Sequence, residues 1–246
     1  MRIAFLADIH GNLQALQACL AAARASGVDR YVFLGDIVGY GADPAACVDI
    51  VAEHCAKGAL ALKGNHDEAV ERTSFRLNDI AGVAIDWTRA VLSPDQRSFL
   101  AALPLTITDD ERLYVHASAN APQAYNYIHG LREAADSLAA TEARLTVVGH
   151  VHDPALYHIS VTGKVMGFIP MQNNAIPLLP QRRWLAVMGA VGQPRDGNPA
   201  AAFGTLDVAK REITYVRVPY DVEAAAARIR AAGLPDRLWQ RLSLGR

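Results

Sequence analysis

Cysteine is scarce in this chain: Cys19, Cys47 and Cys55 are its three, an odd number with no Cys-x-x-Cys spacing. That excludes a disulfide framework and a zinc ribbon, and it fits a reduced compartment. A surplus of either charge is also missing. Lys and Arg total 24 against 25 Asp and Glu, for a net charge of −1, so no global basic field or basic stripe draws the chain to nucleic acid. No apolar run reaches the ~18 residues that suggest a membrane span. The N-terminus enters a strand directly, without the leader pattern of a signal peptide. The expectation is a soluble cytoplasmic protein with no membrane partner and no long nucleic-acid partner. Internal repeats, low-complexity segments and linkers are absent as well, so residues 1–246 read as a single domain. At 51% hydrophobic composition it can bury a substantial core.

What the chain does have is alternation. Short apolar runs at 3–7, 31–34, 59–62, 113–115 and 145–148 read as buried strands, and helical spacing separates several of them. Leu13, Leu16, Leu20 and Ala23 mark one helix, stopped near Gly27. Asp43-Pro44 reads as an N-cap followed by proline at the first helical position, a purely capping role. Ser93-Pro94-Asp95-Gln96 is a capping-box signature. Beyond Asp153 the texture changes to short strands and turns, which suggests an antiparallel sheet packed on a parallel one.

Each of the five runs ends in a polar motif. These are Asp8-Ile9-His10, Gly35-Asp36, Gly64-Asn65-His66-Asp67, His116, and Gly149-His150-Val151-His152. Asp-x-His alone marks an ordinary turn as readily as a ligand pair. Five motifs at strand carboxyl ends are different, because parallel strands bring such ends to one rim. The side chains are carboxylates, imidazoles and one amide, donors suited to manganese, iron, zinc or nickel. Asp8 and Asp36 brought together without a cation would repel.

In order and type, these motifs make the chain similar to the calcineurin-like metallophosphoesterase family, over Asp8 to His152. Gly35-Asp36-Ile37-Val38-Gly39-Tyr40-Gly41 and the later Val191-Gly192-Gln193-Pro194-Arg195-Asp196-Gly197 resemble its small bacterial and archaeal members. The resemblance implies an α/β fold, a four-layer α/β/β/α sandwich, and two divalent metal ions, manganese first among the four. It implies that Asp8, His10, Asp36 and His152 hold one ion and Asp36, Asn65, His116 and His150 the other, with Asp36 bridging. A metal-bridging hydroxide would attack a small phosphomonoester or phosphodiester, such as a nucleotide or cyclic nucleotide. His66 would protonate the leaving oxygen, and Asp67 would orient His66. Asn12 would contact phosphate or a metal-bound water, and Arg195 would bind phosphate. The plainer alternative for Arg195 is a pair with Asp196 in a glycine-rich turn.

Other residues stay open. Tyr40, Tyr125 and Tyr127 have faces for stacking on a base or for ordinary packing. His129 lies in the long irregular stretch 117–130, where loops often carry function; His54, late in a helix, reads as structural. The competing reading of the whole chain is a non-catalytic metal-binding scaffold of the same fold that binds a protein partner, as in the retromer scaffold subunit. Oligomeric state is open.

Overall fold

Ile3 and Phe5 point one way from the first strand and Ala4 and Leu6 the other, and all four are fully buried. A strand buried on both faces needs cover on both. The computed structural model describes residues 1–75 and 78–246. In it β1 (Arg2–Leu6) is followed by α1 (Leu13–Ala25), β2 (Arg30–Phe33), α2 (Pro44–Ala56) and β3 (Leu60–Ala61). α3 (Asn65–Glu71), α4 (Asp79–Val91) and α5 (Pro94–Ala102) come next, then the hairpin β4 (Thr106–Asp109) and β5 (Arg112–Val115). After α6 (Leu131–Ala139) come β6 (Leu145–His152), β7 (Ala155–Ile159), β8 (Val165–Phe168), β9 (Ala175–Pro177) and β10 (Arg183–Gly189). β11 (Ala201–Asp207), β12 (Glu212–Val218), α7 (Val222–Ala231) and α8 (Asp236–Leu244) complete the described strands and α-helices, beside one 3-10 turn at Pro122–Ala124.

The strands form two six-stranded sheets, ordered β3-β2-β1-β11-β12-β9 and β4-β5-β6-β10-β7-β8. The outer face of the first is covered by Leu16, Cys19 and Leu20 of α1 and by Val48 and Val51 of α2. Between the sheets, Ile3, Phe5, Val32 and Leu34 meet Tyr114, Val147, Ala186 and Met188. On the far side Ala134 and Leu138 of α6 pack on Val148, Leu185 and Val187. Helix, sheet, sheet and helix make the α/β four-layer sandwich. Among the described residues no helix is long and apolar enough to cross a membrane.

The sheets are not divided as the sequence texture suggests. Each is mixed: β11 joins the first antiparallel to β1, whereas β10 joins the second parallel to β6. The late strands therefore complete both sheets, because the open edges of β1 and β6 each carry backbone N–H and C=O groups that need a hydrogen-bonded neighbour. Three elements go unmarked in the sequence reading. β8 and β9 are too short to show a period. α3 starts at Asn65, inside a motif expected to be loop, and its start signal is Asp67, whose carboxylate accepts the Gly64 N–H at 2.9 Å. β6 also runs on through His150 and His152 rather than stopping at Val148.

Candidate metal centre

Strand ends alone do not aim side chains; here the loops are laced together first. Beyond β1, the Asp8 N–H donates to Gly35 O at 3.1 Å, His10 N–H to Asp36 O at 2.9 Å and Gly11 N–H to Ile37 O at 2.9 Å. The Gly192 N–H donates to Asp8 O at 2.9 Å, which ties in the loop after β10. The His150 N–H reaches both carboxylate oxygens of Asp8, at 3.0 and 2.9 Å, and so joins the two sheets. Asp8, His10, Asp36, His150 and His152 all have φ between 49° and 70°. Left-handed backbone at non-glycine residues carries strain, and its concentration here marks a functional site. Two glycines make the crowding possible. A Cβ on Gly64 would overlap the Asp36 carboxylate, and one on Gly39, at φ +89°, would overlap the His66 ring.

The ring nitrogens then define where cations fit. His10 Nε2 and His152 Nε2 face each other at 3.1 Å. Their Nδ1 atoms are occupied elsewhere, donating to Val38 O at 3.1 Å and Gln193 O at 2.6 Å. A neutral imidazole carries one N–H, so two lone pairs meet at that contact and call for a cation. At the second pair His116 Nε2 and His150 Nδ1 are 3.2 Å apart; His116 Nδ1 donates to Leu34 O at 2.7 Å, whereas His150 Nε2 has no partner to fix its tautomer. Asp36 stands between the two pairs: its Oδ2 lies 3.7 Å from His10 Nε2 and 3.4 Å from His116 Nε2. Asp8 Oδ1 lies 3.5 Å from His152 Nε2. Asp8 with His10 and His152, and Asp36 with His116 and His150, each converge ligand atoms within 4.8 Å, as do His10, Asp36 and His66. Asn65 Oδ1, His66 Nδ1 and His150 Nε2 are buried with no hydrogen-bond partner. Orphaned donors and acceptors beside two carboxylates with no Lys or Arg ion pair among the described residues fit a pair of divalent cations.

Electrostatics agree. Burial pushes the Asp8 carboxyl up to about 7, against the pull of His116 and with the help of Asp36. Burial also disfavours charge on Asp36 and His116. Their mutual attraction wins: Asp36 is held well below the usual carboxylate range, and His116 rises to about 9. Burial drives His10 and His152 well below the usual imidazole value and His150 down to about 3. For metal-stripped protein the sign follows. A raised pKa stabilises the fold at low pH and loses that effect as pH rises through the folded value, here about 9 for His116 and about 7 for Asp8. The depressed histidines act oppositely, costing stability as pH falls below 6.5, their unfolded value. Stability in chelator is therefore expected to rise from pH 9 to 7, by at most about 1.4 kcal/mol per unit per proton, and to fall below 6.5. Thermal melts across that range check it; a monotonic rise toward pH 9 contradicts it.

The sequence profile of the calcineurin-like phosphoesterase superfamily domain matches residues 1–211. This chain belongs to that family. It is 33% identical over 250 residues to an uncharacterized protein of Methanocaldococcus jannaschii, covering 99% of this chain and 98% of the relative. A metallophosphoesterase structure from Sphaerobacter thermophilus superposes with a TM-score of 0.87 at 34% identity, covering 100% of this chain and 99% of the other. A hypothetical protein of Pyrococcus horikoshii shares the fold at 19% identity and a TM-score of 0.79, with 100% and 98% covered.

Within this calcineurin-like site the remaining expected residues divide. His66 sits at the start of α3, 3% exposed, its ring against His10 at 4.8 Å and Tyr40 at 4.5 Å, and its N–H on Asp36 Oδ1 at 2.8 Å. Asp67 makes no hydrogen bond to the His66 ring. Its Oδ1 accepts the Ile37 and Val38 N–H groups at 2.9 and 3.2 Å, and its Oδ2 accepts that of Gly64, so it holds the Asp36 loop to α3. Asn12 is likewise committed. Its Oδ1 caps α1 through the Ala15 N–H at 3.1 Å, and its amide donates to Gly192 O at 2.9 Å and Tyr220 Oη at 3.3 Å, leaving nothing for phosphate. Asp43 occupies the N-cap of α2 with its backbone carbonyl accepting the Cys47 N–H at 3.1 Å but no side-chain bond to that helix; its carboxylate takes Arg228 instead, at 2.6 and 3.0 Å. His54, near the end of α2, packs edge-on to Tyr31 at 4.8 Å.

Arg195 does not pair with Asp196, which binds Arg217. Its guanidinium lies 5.9 Å over the Tyr40 ring, donates to Gln193 Oε1 at 3.2 Å, and leaves Nε without a partner. Tyr40 is buried against His10 at 4.6 Å, and Tyr125 is buried with its hydroxyl donating to Glu68 at 2.6 Å. Tyr127 is different: 44% exposed, it stacks on His150 at 4.0 Å and on His129 at 5.0 Å. Sequence reasoning had no view of the backbone carbonyls of Leu34, Val38 and Gln193 that fix three of the imidazoles, because any residue type supplies a carbonyl.

Proposed function

We propose that this chain hydrolyses small phosphate esters with two divalent cations. Asp8, His10, Asp36 and His152 would hold one, and Asp36, Asn65, His116 and His150 the other. The observation that carries this reading is the two inward-facing ring-nitrogen contacts, 3.1 and 3.2 Å, with Asp36 between them. Such cations neutralise the charge developing on a phosphoryl group and acidify water to a nucleophile near neutral pH. The protein groups do the rest. His66 has a free Nδ1 at the site, and a phosphate anion beside it would raise its burial-lowered pKa into the range of a general acid. Asp36 orients His66 by accepting its N–H and so fixing the start of α3. Arg195 supplies a cation with unused donor capacity at the rim. Tyr127 already stacks on His150 and on His129, so it packs beside the site and leaves no free face for a nucleobase. Residues 1–246 act as one unit in this reading. Manganese is the first candidate metal; iron, zinc and nickel share its donors.

Hydrolysis of bis-p-nitrophenyl phosphate with added Mn2+, measured beside bound-metal content, tests the proposal. Stoichiometric metal with turnover supports it. Metal without turnover on this and on phosphomonoesters, diesters, dinucleoside polyphosphates and cyclic nucleotides would support the scaffold reading instead. Arg195→Ala is expected to raise KM roughly tenfold to a hundredfold, the worth of one or two charge-assisted hydrogen bonds, with kcat changed less. An unchanged KM would remove Arg195 from the substrate site.

A further inference from the structure

A second cavity opens at the opposite end of the sandwich. β6 begins at Leu145 and ends at His152, so the two rims lie about 23 Å apart at the rise of a strand. The cavity has a volume of about 130 Å3. Its floor is apolar and comes from both sheets: Leu145 and Trp184 from one, Leu206 from the other, with Leu178 beside them. Around it stand Arg144, Arg182 and Arg211. Among the described residues none of these three has a carboxylate within ion-pair distance. The Arg144 guanidinium donates, among the described residues, only to Pro180 O at 3.1 Å, and that of Arg182 donates to His158 Nε2 at 2.9 Å while lying 5.9 Å over Trp184. The fourth arginine, Arg112, is already satisfied by Asp109 at 3.3 Å, Asp110 at 3.6 Å and the Tyr114 hydroxyl at 3.1 Å. Glu111 is the one acid on the lining, and it pairs with none of them. Four arginines against Glu111, Asp109 and Asp110 leave a local surplus of one positive charge in a chain whose net charge is −1, and among the described residues three of the four have no acidic partner.

Packing makes the combination informative. Protein interiors leave few voids, and a dry apolar cavity of comparable size, about 150 Å3, holds one benzene ring. Unpaired arginines at such a mouth repel one another until an anion arrives, and a planar guanidinium over an indole is already oriented for one. We propose that this cavity is a binding site for a small amphipathic anion, with one ring or a short branched alkyl group on Trp184 and a carboxylate or phosphate head on Arg144, Arg182 and Arg211. The site is separate from the metal centre and does not depend on the phosphoesterase reading.

The indole N–H of Trp184, which donates to Leu179 O at 3.2 Å, reports on the cavity by NMR, with Trp87 and Trp239 as internal controls. Phenylacetate and phenylphosphonate are titrated into protein loaded with diamagnetic Zn2+, beside 2-phenylethanol, which lacks the charge, and acetate, which lacks the ring. At least one aromatic anion is expected to shift the Trp184 signal with a Kd about tenfold or more below those of both controls. The tighter of the two assigns the head group as carboxylate or phosphate. The double variant Arg144→Gln, Arg182→Gln is expected to weaken that binding about tenfold or more while Mn2+-dependent activity stays unchanged. Arg211→Asn gives a second test that spares the fold, since Arg211 is exposed at φ +55° and asparagine accepts that backbone. No shift up to roughly 10 mM of either anion, equal binding of 2-phenylethanol, or full affinity in both variants would overturn the proposal.

Discussion

His66→Ala is expected to lower kcat by about 10²–10⁴-fold while bound metal stays at the wild-type level. The size is that of a lost general acid, and the retained metal is what separates that role from a ligand. The distinction is real here, because a His66 ring nitrogen lies within 4.8 Å of ligand atoms of His10 and Asp36. A ligand's loss would strip an ion and move activity and metal content together. A general acid's loss leaves the ions in place and weighs most on substrates with poor leaving groups, since p-nitrophenolate needs little help. An alkyl phosphate ester is therefore expected to suffer more than a p-nitrophenyl ester. Equal losses on both, or a metal content halved by the substitution, would assign His66 to the metal centre instead. Tyr40 is the structural reason to expect the substitution to fold. Its ring, packed between His10 and His66, stays anchored by His10 once the second imidazole is gone.

The second large effect belongs to Asp36→Asn. Asparagine keeps the shape and can still accept the His66 N–H, but it removes the one negative charge placed between the two imidazole pairs. Loss of both ions and of activity by at least about 10³-fold is expected. Stability should report it too. A metal at a hundred times its Kd adds about 2.7 kcal/mol, which for a chain of this size is roughly 5–10 °C in Tm. Wild-type protein should lose that much in chelator, and Asp36→Asn should show little difference with and without metal. A variant that still binds two ions per chain and melts higher with Mn2+ would contradict Asp36 as the shared ligand. Asp8→Asn makes an informative partner, since it removes a carboxyl that burial pushes up to about 7 and should leave metal-stripped protein no less stable at pH 8.

The proposed ligand set was legible because metal chemistry restricts residue type. Only a few side chains can donate to a cation, so Asp8, His10, Asp36, Asn65, His116, His150 and His152 stand out wherever a buried strand ends. Asn12 and Asp67 misled for the opposite reason. They lie inside the same motifs and carry the same donor types, but the backbone takes them first: Asn12 caps α1 and Asp67 binds three N–H groups. Nothing in residue type tells a carboxylate satisfied by a loop from one left for a ligand. Asp43 shows the same limit at a distance, since the partner it prefers to its own helix, Arg228, is 185 residues away.

Local sequence by itself determined the strands of the central core, the helices with their caps, and the chemical character of the site, because period, capping and donor type act over a few residues. Tertiary structure alone decided how the late strands divide between two sheets, which imidazole nitrogen faces inward, that Arg195 covers Tyr40 rather than pairing with Asp196, and that three arginines meet at the far rim. Each depends on contacts between residues tens to hundreds of positions apart, and the shared cause is burial. Once the two sheets exclude water, every polar group must find a partner wherever the chain has placed one, and those partners, not the motifs, set the geometry.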